Sequence, residues 1–379
     1  MKIVIGSMTY PLANGVTTSI NTSVDGFVRA GHKVAIIAPR YDDLGKVRPE
    51  HHPVTSSEIG RWFLSALHKK ERFFSASSAT EEIKKIVEDF RPDAYWLHTV
   101  TWAPNAFERI MQQSNKPNVL TYHTLIEDYG RAYAGEIGAW KMRTRSRDVA
   151  NEMDAVIAPS EVIAKRLSLY GVRKSVDVIP TGISIPNKSY TKKEIAERFH
   201  FAVDSKVLLY VGRVSREKNI TKLLQLTQPL LQEKKTVLLL VGPGDLIETK
   251  DRAKMWGIDR QVVCTGALPK EDTQKIYGAA DCFVFTSQTE TQGLVIGEAM
   301  MANLPVVALY SPIQPEVYPD NTAVVVHDPR QFSNSIRLII LDSPRRKLMT
   351  TQAKKFVEKN FSIEGMISKQ IALFERLIN

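Results

Sequence analysis

Short, almost wholly apolar runs alternate with segments of helix length along most of this sequence. Such runs are typical of parallel strands that are buried on both faces and connected by crossover helices. The runs are KIVIGS, KVAIIAP, AYWLHT, NVLTYH, DAVIAPS and DVIPTG in the first half, then KVLLYVGR, TVLLLVGPG, QVVCTGA, DCFVFTS and LPVVALY. The pattern predicts an α/β protein with two doubly wound, Rossmann-like sheets.

A domain boundary is expected near the middle of the chain. With 379 residues, the chain exceeds the size at which a single core usually stops growing. Prolines, a glycine and polar residues interrupt the alternation between Ile179 and Glu194, which is typical of a linker. We predict an N-terminal domain over residues 1–183 and a C-terminal domain over 184–361. Residues 362–379 are predicted to form an amphipathic helix that packs back on the N-terminal domain.

Composition and charge narrow the class of protein. The two cysteines, Cys264 and Cys282, have neither a disulfide pattern nor a metal-ligand spacing, which favours a reducing cytosol. The apolar run in MKIVIGSMTY is far too short for a signal peptide, and no run reaches roughly 18 apolar residues, so neither a signal peptide nor a membrane-spanning helix is expected. The net charge of +10 favours anionic partners. Nucleotide phosphates, nucleic acid and an acidic membrane surface all remain open on charge alone.

The residues directly after the predicted strands are the candidates for ligand binding, since ligands in open α/β sheets lie beyond the carboxyl ends of strands. After KVLLYV come Gly212, Arg213 and, five residues later, Lys218. A glycine turn with two cations before a helix suits a diphosphate, because amide N–H groups, the helix dipole and the cations all favour negative charge. A solvated basic loop is the simpler alternative.

The stretch SQTETQGLVIGEAM carries two carboxylates in a segment that should be mostly buried. Glu290 is predicted to lie on the strand-end turn and Glu298 in the second turn of the next helix, which Asn303 can end in a left-handed conformation. These acids could accept hydrogen bonds from sugar hydroxyls and from a ribose diol. Alternatively, Glu290 is an ordinary acidic residue at a helix N-terminus and Glu298 a surface glutamate. Backbone amides are predicted to point toward the same crevice from Thr291, Gln292 and Gly293.

Taken together, these spacings resemble a known family. The E-x7-E pattern of Glu290 and Glu298, and the G-R-x4-K pattern of Gly212, Arg213 and Lys218, are similar to those of retaining glycosyltransferases of the GT-B fold, family four. The resemblance spans nearly the whole chain. Within the family, TETQGL and HTLIEDY are most similar to bacterial enzymes that glycosylate diacylglycerol. The resemblance implies two Rossmann-like domains that face a crevice, and transfer of a hexose from a nucleotide sugar to a membrane lipid.

The resemblance also implies roles for individual residues. Arg213 and Lys218 would hold the donor diphosphate, Glu298 the nucleotide ribose, and Glu290 the hydroxyls of the transferred sugar. His123, which follows NVLTY, would lie at the reacting face of the sugar, although a single histidine is by itself more often structural. Further donor contacts are implied at Gly15, Gly212, Ala267, Leu268, Thr291, Gln292, Gly293 and Leu294.

Two other residues of the N-terminal domain bear on this assignment. His98, at the end of AYWLHT, is a second candidate near the acceptor, and a structural role is equally compatible with its position. Many family members have two adjacent glycines in the loop that here reads PLANGVTT, whereas Asn14 precedes Gly15 in this chain.

We expect no metal and no cofactor, because no Asp-x-Asp motif follows a predicted strand. The donor substrate is expected to be UDP-linked, with fixed cations neutralising the leaving group. The family retains anomeric configuration, and the absence of a clear carboxylate nucleophile favours front-face attack, with the departing phosphate taking the acceptor's proton.

Several alternatives remain at this point. A sugar-nucleotide epimerase of the same fold is one, a glycosyltransferase with a soluble or polysaccharide acceptor is another, and a sensor that binds nucleotide sugar without turnover is a third. A dinucleotide oxidoreductase is less suited because KIVIGSMTY lacks the G-x-G-x-x-G turn. No nucleic-acid partner is expected.

The segment RWFLSALHKKERFF, residues 61–74, is a candidate for membrane contact. Read as a helix, it mixes bulky apolar side chains with cations, which suits an anionic bilayer interface, whereas a core-facing helix fits the pattern equally well. We expect a cytoplasmic protein bound peripherally to the inner face of the cell membrane. A second basic run, WKMRTRSRD, could assist by simple attraction. The predicted contacts in 61–74 are Trp62, Phe63, Lys69, Lys70, Arg72 and Phe73, with Arg61, Leu67 and Phe74 beside them.

Overall fold

The computed structural model describes residues 1–12, 14–41, 47–58, 72–74, 78–186 and 188–379. The chain forms two compact units. The N-terminal unit comprises Met1–Gly182 with Ile363–Asn379, and the C-terminal unit comprises Ile183–Ser362. Each unit contains its own parallel sheet, so the predicted fold class is confirmed.

The N-terminal unit is built on a parallel sheet of seven strands. Its strands, together with those of a small hairpin, are β1 (Lys2–Gly6), β2 (Lys33–Pro39), β3 (His51–Val54), β4 (Ser56–Glu58), β5 (Arg72–Phe74), β6 (Ala94–Leu97), β7 (Asn118–Thr121), β8 (Ala155–Ala158) and β9 (Val176–Val178). The sheet has the order β3-β2-β1-β6-β7-β8-β9, and β4 pairs with β5 in an antiparallel hairpin.

Helices cover both faces of this sheet. They are α1 (Gly15–Arg29), α2 (Ser78–Phe90), α3 (Ala106–Gln112), α4 (Ile126–Glu152), α5 (Glu161–Leu169) and the C-terminal α14 (Ile363–Ile378). Asn14, Asn105 and Ser160 cap α1, α3 and α5, and each side chain accepts a hydrogen bond from the amide three residues on, as N-caps do. The helix α14 packs so closely on α1 that a Cβ at Gly26 would lie 2.3 Å from the side chain of Ile367.

The C-terminal unit repeats this architecture with six parallel strands. They are β10 (Lys206–Val211), β11 (Thr236–Val241), β12 (Val262–Gly266), β13 (Cys282–Phe285), β14 (Val306–Leu309) and β15 (Val324–Val326), in the order β12-β11-β10-β13-β14-β15. Its helices are α6 (Lys192–Phe199), α7 (Ile220–Gln232), α8 (Leu246–Met255), α9 (Lys270–Ile276), α10 (Leu294–Met301), α11 (Gln314–Val317), α12 (Phe332–Leu341) and α13 (Ser343–Asn360).

The strand order locates the binding edge of each sheet. In both sheets the chain first winds outward from its first strand, then returns to the other side of that strand. The reversal falls between β1 and β6 in the N-terminal unit and between β10 and β13 in the C-terminal unit. Ligands of doubly wound folds bind at this switch point, outside the carboxyl ends of the strands. The loops after these four strands are therefore the first candidates for ligand binding.

The central strands are buried because their side chains face helices on both sides. All six residues of β11 are buried, as are five of the six residues of β10. Full burial of one large apolar side chain contributes about 1.5–3 kcal/mol, so continuous apolar strands supply much of the stability of each unit. This burial explains why the alternating apolar runs predicted the fold.

Four strands within the described residues were not predicted. Two of them, β3 and β15, each form one edge of a sheet, and the other two form the hairpin β4–β5, which is separate from both sheets. The predicted helix over 61–74 is wrong at its C-terminal end, since Arg72–Phe74 form β5 and Phe74 is buried in the core of the N-terminal unit. Trp62, Phe63, Lys69 and Lys70 lie outside the described residues.

Candidate active site

The loops after β10 and β13 are joined by hydrogen bonds. Asn219 Nδ2 donates to the carbonyl of Thr286, and Thr286 Oγ1 donates to the carbonyl of Asn219, both at 3.2 Å. Thr289 Oγ1 donates to the carbonyl of Glu217, also at 3.2 Å. Since β10 and β13 are neighbours at the switch point, these bonds fix the side chains of one loop relative to those of the other.

Lys218 and Glu290 form an ion pair across these two loops. The Lys218 Nζ donates to Glu290 Oε1 at 2.7 Å, and the side chains are 21% and 16% exposed. A partly buried pair of this kind is screened less by salt than an exposed pair. An ammonium group has three donors, so the bond to Glu290 is compatible with a contact between Lys218 and an anionic ligand.

Arg213 lies at the start of the same loop. It follows Gly212, whose φ of 142° favours glycine, and its carbonyl accepts a hydrogen bond of 2.9 Å from Tyr210 Oη. Its guanidinium lies 4.0 Å from the carboxylate of Glu217 and the side chain is 25% exposed. Both predicted cations therefore occupy one strand-end loop, which ends in a 3-10 turn over Arg216–Lys218.

The glycine turn after β11 has a structural cause. Gly242 and Gly244 have φ values of 144° and 143°, and a Cβ on either would lie 2.0 Å from a carbonyl oxygen, that of Gly212 or of Val214. The Val214 N–H also donates to the carbonyl of Pro243 at 2.8 Å. These glycines are therefore required where two strand-end loops pack backbone against backbone, and a ligand is not needed to explain them.

Ala267 and Leu268 follow β12, whose last residue, Gly266, has a φ of 73°. The Gly242 N–H donates to the Gly266 carbonyl at 3.0 Å, which joins this turn to the neighbouring one. Ala267 is exposed and Leu268 is partly exposed. Such a surface is open to a flat ligand, and the base contact stays a prediction.

The turn before α10 ends in a glycine with a left-handed backbone conformation. Gly293 has a φ of 71° and immediately precedes Leu294, where the helix begins. Gln292 is buried and Thr291 is partly exposed. Asn303 ends this segment with a φ of 56°, so its predicted left-handed conformation is confirmed.

Glu298 has different neighbours from Glu290. Its carboxylate accepts hydrogen bonds from Tyr277 Oη at 2.8 Å and from Gln274 Nε2 at 3.1 Å. Burial raises the pKa of Glu298, and the two donors oppose this shift. The carboxylate is thus held by two neutral donors, an arrangement that can also accept hydroxyl donors from a ligand.

In the N-terminal unit, the loops after β1 and β6 are also joined. The Met8 N–H donates to Thr99 Oγ1 at 2.8 Å, and Thr99 Oγ1 donates to Ser7 Oγ at 3.3 Å. Farther along the first of these loops, Asn14 Oδ1 accepts the Thr17 N–H at 2.9 Å. Asn14 is therefore the N-cap of α1, and Gly15 is the first residue of that helix and is exposed. This cap gives a physical reason for the asparagine in the PLANGVTT loop.

His98 and His123 are in direct contact. They follow β6 and β7, and His98 Nδ1 lies 2.9 Å from His123 Nε2. Burial lowers the pKa of His123 to about 4. Burial and the nearby His123 lower the pKa of His98 well below its ordinary value. Both rings are therefore neutral at pH 7, and the two residues form one unit instead of two independent candidates.

The second basic run is only partly available to a membrane. Its Arg145 donates to both carboxylate oxygens of the fully buried Glu108 and to the carbonyl of Thr101, at 3.1 Å for the latter. This arginine holds α4 against α3 and the preceding loop, so its assignment to a membrane surface is wrong. Arg143 lies 4.0 Å from Glu136, Arg147 pairs with Asp148 at 2.8 Å, and Lys141 is exposed.

The described residues contain neither a cluster of metal ligands nor a helix suited to crossing a membrane. In the described part of the chain, no three His, Cys, Asp or Glu side chains are grouped so as to hold a metal ion. Among the helices within the described ranges, none is both long enough and apolar enough to span a bilayer.

Fold and site together define a two-domain α/β protein whose C-terminal unit presents a cation–acid pair at a switch point, as expected for binding an anionic ligand. Comparison with family models identifies the family of the chain. The model described as Glycosyltransferase Family 4 matches residues 13–185, and the model described as Glycosyl transferases group 1 matches residues 191–356.

Individual relatives agree with these matches. The alpha-monoglucosyldiacylglycerol synthase of Streptococcus pneumoniae is 30% identical over 331 residues, covering 82% of this chain and 72% of that protein. A GDP-mannose-dependent alpha-mannosyltransferase of Mycobacterium tuberculosis is 24% identical over 301 residues, covering 79% and 76%. Among solved structures, sucrose-phosphate synthase from Thermosynechococcus elongatus matches with a TM-score of 0.82 at 20% identity, covering 100% of this chain and 99% of that one.

The chain therefore belongs to the family 4 glycosyltransferases of the GT-B fold, and the resemblance recognised in its sequence is confirmed. Two pairings were missed in the sequence: the Lys218–Glu290 ion pair and the His98–His123 contact. In both, the partners follow strands that are adjacent in the sheet, so the strand order of a doubly wound fold was the signal that could have found them.

Proposed function

We propose that this protein is a retaining hexosyltransferase that moves a hexose from a UDP-linked donor to the hydroxyl of a membrane lipid such as diacylglycerol. The structural observation that carries the proposal is the Lys218–Glu290 pair at 2.7 Å, which holds a cation and an acid together at the switch point. The similarity to a protein named alpha-monoglucosyldiacylglycerol synthase supports the lipid acceptor.

The leaving group is a nucleoside diphosphate, so negative charge grows on the β-phosphate as the bond to the sugar breaks. Arg213 and Lys218 are proposed to hold this diphosphate. Because the ion pair restrains the Lys218 side chain before the donor binds, its charge needs little reorganisation during the reaction, which is the condition for strong electrostatic stabilisation.

The acids are proposed to hold the two sugars of the donor. Glu290 accepts hydrogen bonds from hydroxyls of the transferred hexose, and it lies beside Lys218, the cation proposed to contact the phosphate. Glu298, whose carboxylate is hydrogen-bonded by Tyr277 and Gln274, accepts hydrogen bonds from the ribose hydroxyls. Ala267 and Leu268 are proposed to lie against the base, while amides of the turn from Thr291 to Leu294 contribute near the phosphates. Gly15, at the N-terminus of α1, is proposed as a further donor contact.

The reaction is proposed to proceed by attack on the face from which the diphosphate leaves. The acceptor oxygen forms a bond to the anomeric carbon, the bond from that carbon to the phosphate oxygen breaks, and the acceptor proton passes to the departing phosphate oxygen. Configuration is retained, and no protein base is consumed. His123 is proposed to lie at the reacting face of the sugar.

An exposed surface of the N-terminal unit also supports a lipid acceptor. Trp102, Ile137 and Trp140 are 61%, 70% and 59% exposed, and the exposed Lys141 follows Trp140 in α4. Arg145 ties the loop that carries Trp102 to this helix through the Thr101 carbonyl. Exposed indole rings beside a cation suit the interface of an anionic bilayer. This aromatic surface, defined by these three apolar residues, is distinct from the segment 61–74.

The test is transfer by the purified full chain. UDP-glucose, UDP-galactose, UDP-N-acetylglucosamine and GDP-mannose are each supplied with diacylglycerol in phosphatidylglycerol-containing vesicles, and with soluble sugar acceptors in parallel. We expect a glycolipid from a UDP-sugar, with the proton coupling at the anomeric carbon showing the donor's configuration. Transfer only to soluble acceptors, an inverted product, transfer only from GDP-mannose, or epimerised donor without transfer would each refute a stated part of the proposal.

Membrane contact is tested separately by sedimentation with vesicles of increasing phosphatidylglycerol content. We expect the double variant Trp102→Ser with Trp140→Ser to bind less than wild type. The control is Leu341→Ser with Leu348→Ser, which removes two side chains of the C-terminal unit that are 73% and 62% exposed. Equal binding by the tryptophan variant, or an equal loss in the leucine control, would contradict the assignment of the aromatic surface.

A further inference from the structure

The contact between His98 and His123 has the geometry of a true hydrogen bond within one plane. The ring centroids are 5.1 Å apart and the ring planes are inclined by 20°, while Nδ1 of His98 and Nε2 of His123 are 2.9 Å apart. The centroid separation is close to the N···N distance plus one ring radius at each end. The rings therefore lie edge to edge, with the hydrogen bond along the line that joins them.

Two neutral imidazoles can share this contact in two ways, and each way fixes both tautomers. If His98 donates from Nδ1, then His98 Nε2 carries a lone pair, and the proton of His123 lies on Nδ1. If His123 donates from Nε2, then His98 Nε2 must carry a buried N–H, and His123 Nδ1 carries a lone pair. The surroundings of His98 Nε2 therefore help to distinguish the two arrangements.

His98 is 1% exposed, and its Nε2 has no hydrogen-bond partner in the described part of the chain. Its ring packs against Trp96, with centroids 4.5 Å apart, and the indole N–H of Trp96 is already donated to Thr121 Oγ1 at 2.7 Å. An orphaned buried N–H is rarer in proteins than an acceptor with an unused lone pair. The arrangement with a lone pair on His98 Nε2 is therefore favoured.

We propose that His98 is a positioning residue: by donating from Nδ1 to His123 Nε2, it orients the His123 ring and fixes its proton on Nδ1. His123 then acts at the site as a neutral hydrogen-bond donor from Nδ1, and neither of its nitrogens is available as a base. The role of His123 in transfer rests on the proposed function, whereas the tautomer does not. This chemistry agrees with a reaction in which the departing phosphate, and no side chain, takes the acceptor's proton.

The tautomer can be read without substrate or activity. Long-range 1H–15N correlation spectra of the full chain with 15N-labelled histidine distinguish a protonated ring nitrogen from one with a lone pair, and His123→Gln identifies the signals of His123. We expect the Nδ1–H form of His123 at pH 7.5, although a free histidine side chain prefers Nε2–H. Finding His123 as the Nε2–H form in the wild type would overturn the proposal outright.

Two variants of His98 separate positioning from packing. His98→Phe keeps a ring and removes the donor, while His98→Asn keeps an N–H donor near the position of Nδ1. We expect His123 to change to the Nε2–H form in His98→Phe and to stay in the Nδ1–H form in His98→Asn, with circular dichroism and thermal unfolding verifying the fold. An unchanged tautomer in folded His98→Phe would contradict the assignment.

Kinetics give a second readout. Removing the partner that fixes the tautomer of a metal-bound histidine costs about 10- to 100-fold, and we expect kcat of His98→Phe to fall by roughly ten-fold with a smaller change in KM. The Asn variant should recover most of this loss. A Phe variant with wild-type kcat but an altered tautomer would refute the role in transfer and leave the tautomer assignment intact, which separates failure of this inference from failure of the proposed function.

Discussion

The switch points of the two sheets have opposite electrostatic character. At the C-terminal switch point, Arg213, Lys218 and Glu290 are charged, and the lysine and the glutamate are paired. At the N-terminal switch point and its neighbouring strand, His98 is buried and His123 is partly buried, and the two rings are joined to each other and neutral at pH 7. The same strand order therefore supports two kinds of polar site, and the loop residues alone set the difference.

This difference follows the chemistry of the proposed reaction. Charge develops on the diphosphate, where fixed cations lower its energy, and little net charge develops on the acceptor once its proton has moved to the phosphate. A charged histidine near the anomeric carbon would disfavour the positive charge that forms there. Neutral donors are suited to that region, and burial keeps His123 neutral.

The largest effect is expected from removing the cations of the C-terminal site. Arg213→Ala or Lys218→Ala should lower kcat about a hundred-fold or more, since loss of one preorganised electrostatic contact costs about 3–4 kcal/mol of barrier. Transfer assays at saturating donor measure the effect. Arg216→Ala is the matched control, because this exposed cation lies in the same 3-10 turn as Lys218 and should retain nearly normal kcat.

Folding must be separated from catalysis in this series, since Lys218→Ala removes an ion-pair partner of the partly buried Glu290. Thermal unfolding without donor tests this, and the double variant Lys218→Ala with Glu290→Gln should regain any lost stability without regaining activity. Near-normal turnover in both cation variants, or a loss in the Arg216 control as large as in Lys218→Ala, would remove the cations from the proposed role.

A smaller effect is expected when the neutral site of the N-terminal unit is acidified. The folded state keeps His123 neutral down to a pKa of about 4, while the unfolded chain protonates it near 6.5. Between these values the unfolded state binds more protons, so stability rises with pH and is lost as the pH falls. From pH 7 to pH 5, His123 alone should reduce the free energy of unfolding by about 2 kcal/mol, and the lowered pKa of His98 acts in the same direction.

Urea unfolding of wild type and of His123→Gln at pH 7 and pH 5 measures this change in the free energy of unfolding. The loss should be smaller in His123→Gln. The control comes from the C-terminal unit. The pKa of Glu298 is raised above its ordinary value of 4.5, so the folded protein holds this proton to a higher pH than the unfolded chain does. The contribution of Glu298 to the free energy of unfolding therefore falls as the pH rises above 4.5. Glu298→Gln should therefore not reduce the loss of unfolding free energy between pH 7 and pH 5. Equal pH dependence in wild type and His123→Gln would contradict the assigned pKa.

A ten-fold effect is expected from the acids, and it should divide between binding and catalysis. Glu298→Ala should weaken UDP binding by roughly ten-fold, since hydrogen bonds to a charged group contribute about 1.5–3 kcal/mol. Glu290→Gln should leave UDP binding within about two-fold and lower kcat, because its proposed partner is the hexose. Isothermal titration with UDP and transfer kinetics separate the two. An interchange of these effects would mean that the roles of the acids are reversed.

The parts of the fold that were predictable from sequence are those with a strong burial signal. Central strands are covered on both faces, so their apolar runs are continuous and easily read. Of the strands that were not predicted, β3 and β15 are sheet edges of four and three residues, and β3 contains Pro53, which edge strands tolerate. Short edge strands lack two-sided burial, and their sequences carry little pattern.

In the candidate site, the positions of single residues were predictable from sequence, but their pairing was not. Single residues such as Lys218 and Glu290 could be located from their positions after apolar runs. Their pairing across 72 residues depends on which strands are neighbours, and that is a property of the assembled sheet. Arg145 was misread for a related reason. In sequence it is one of several cations in a basic run, and only tertiary structure brings the buried carboxylate of Glu108 to it.

The smallest expected effect is that of removing divalent metal ions, and here the comparison predicts no change. If the fixed charges of Arg213 and Lys218 neutralise the leaving diphosphate, a metal ion has no charge left to offset. Transfer should therefore continue at an unchanged rate after dialysis against EDTA and in its continued excess. The matched measurement is Lys218→Ala with and without magnesium, because a site that lacks one cation is where an added divalent ion would restore some activity. Loss of wild-type transfer in EDTA, with recovery on adding magnesium or manganese, would show that the two cations do not suffice and would break the proposed division between a charged site and a neutral one.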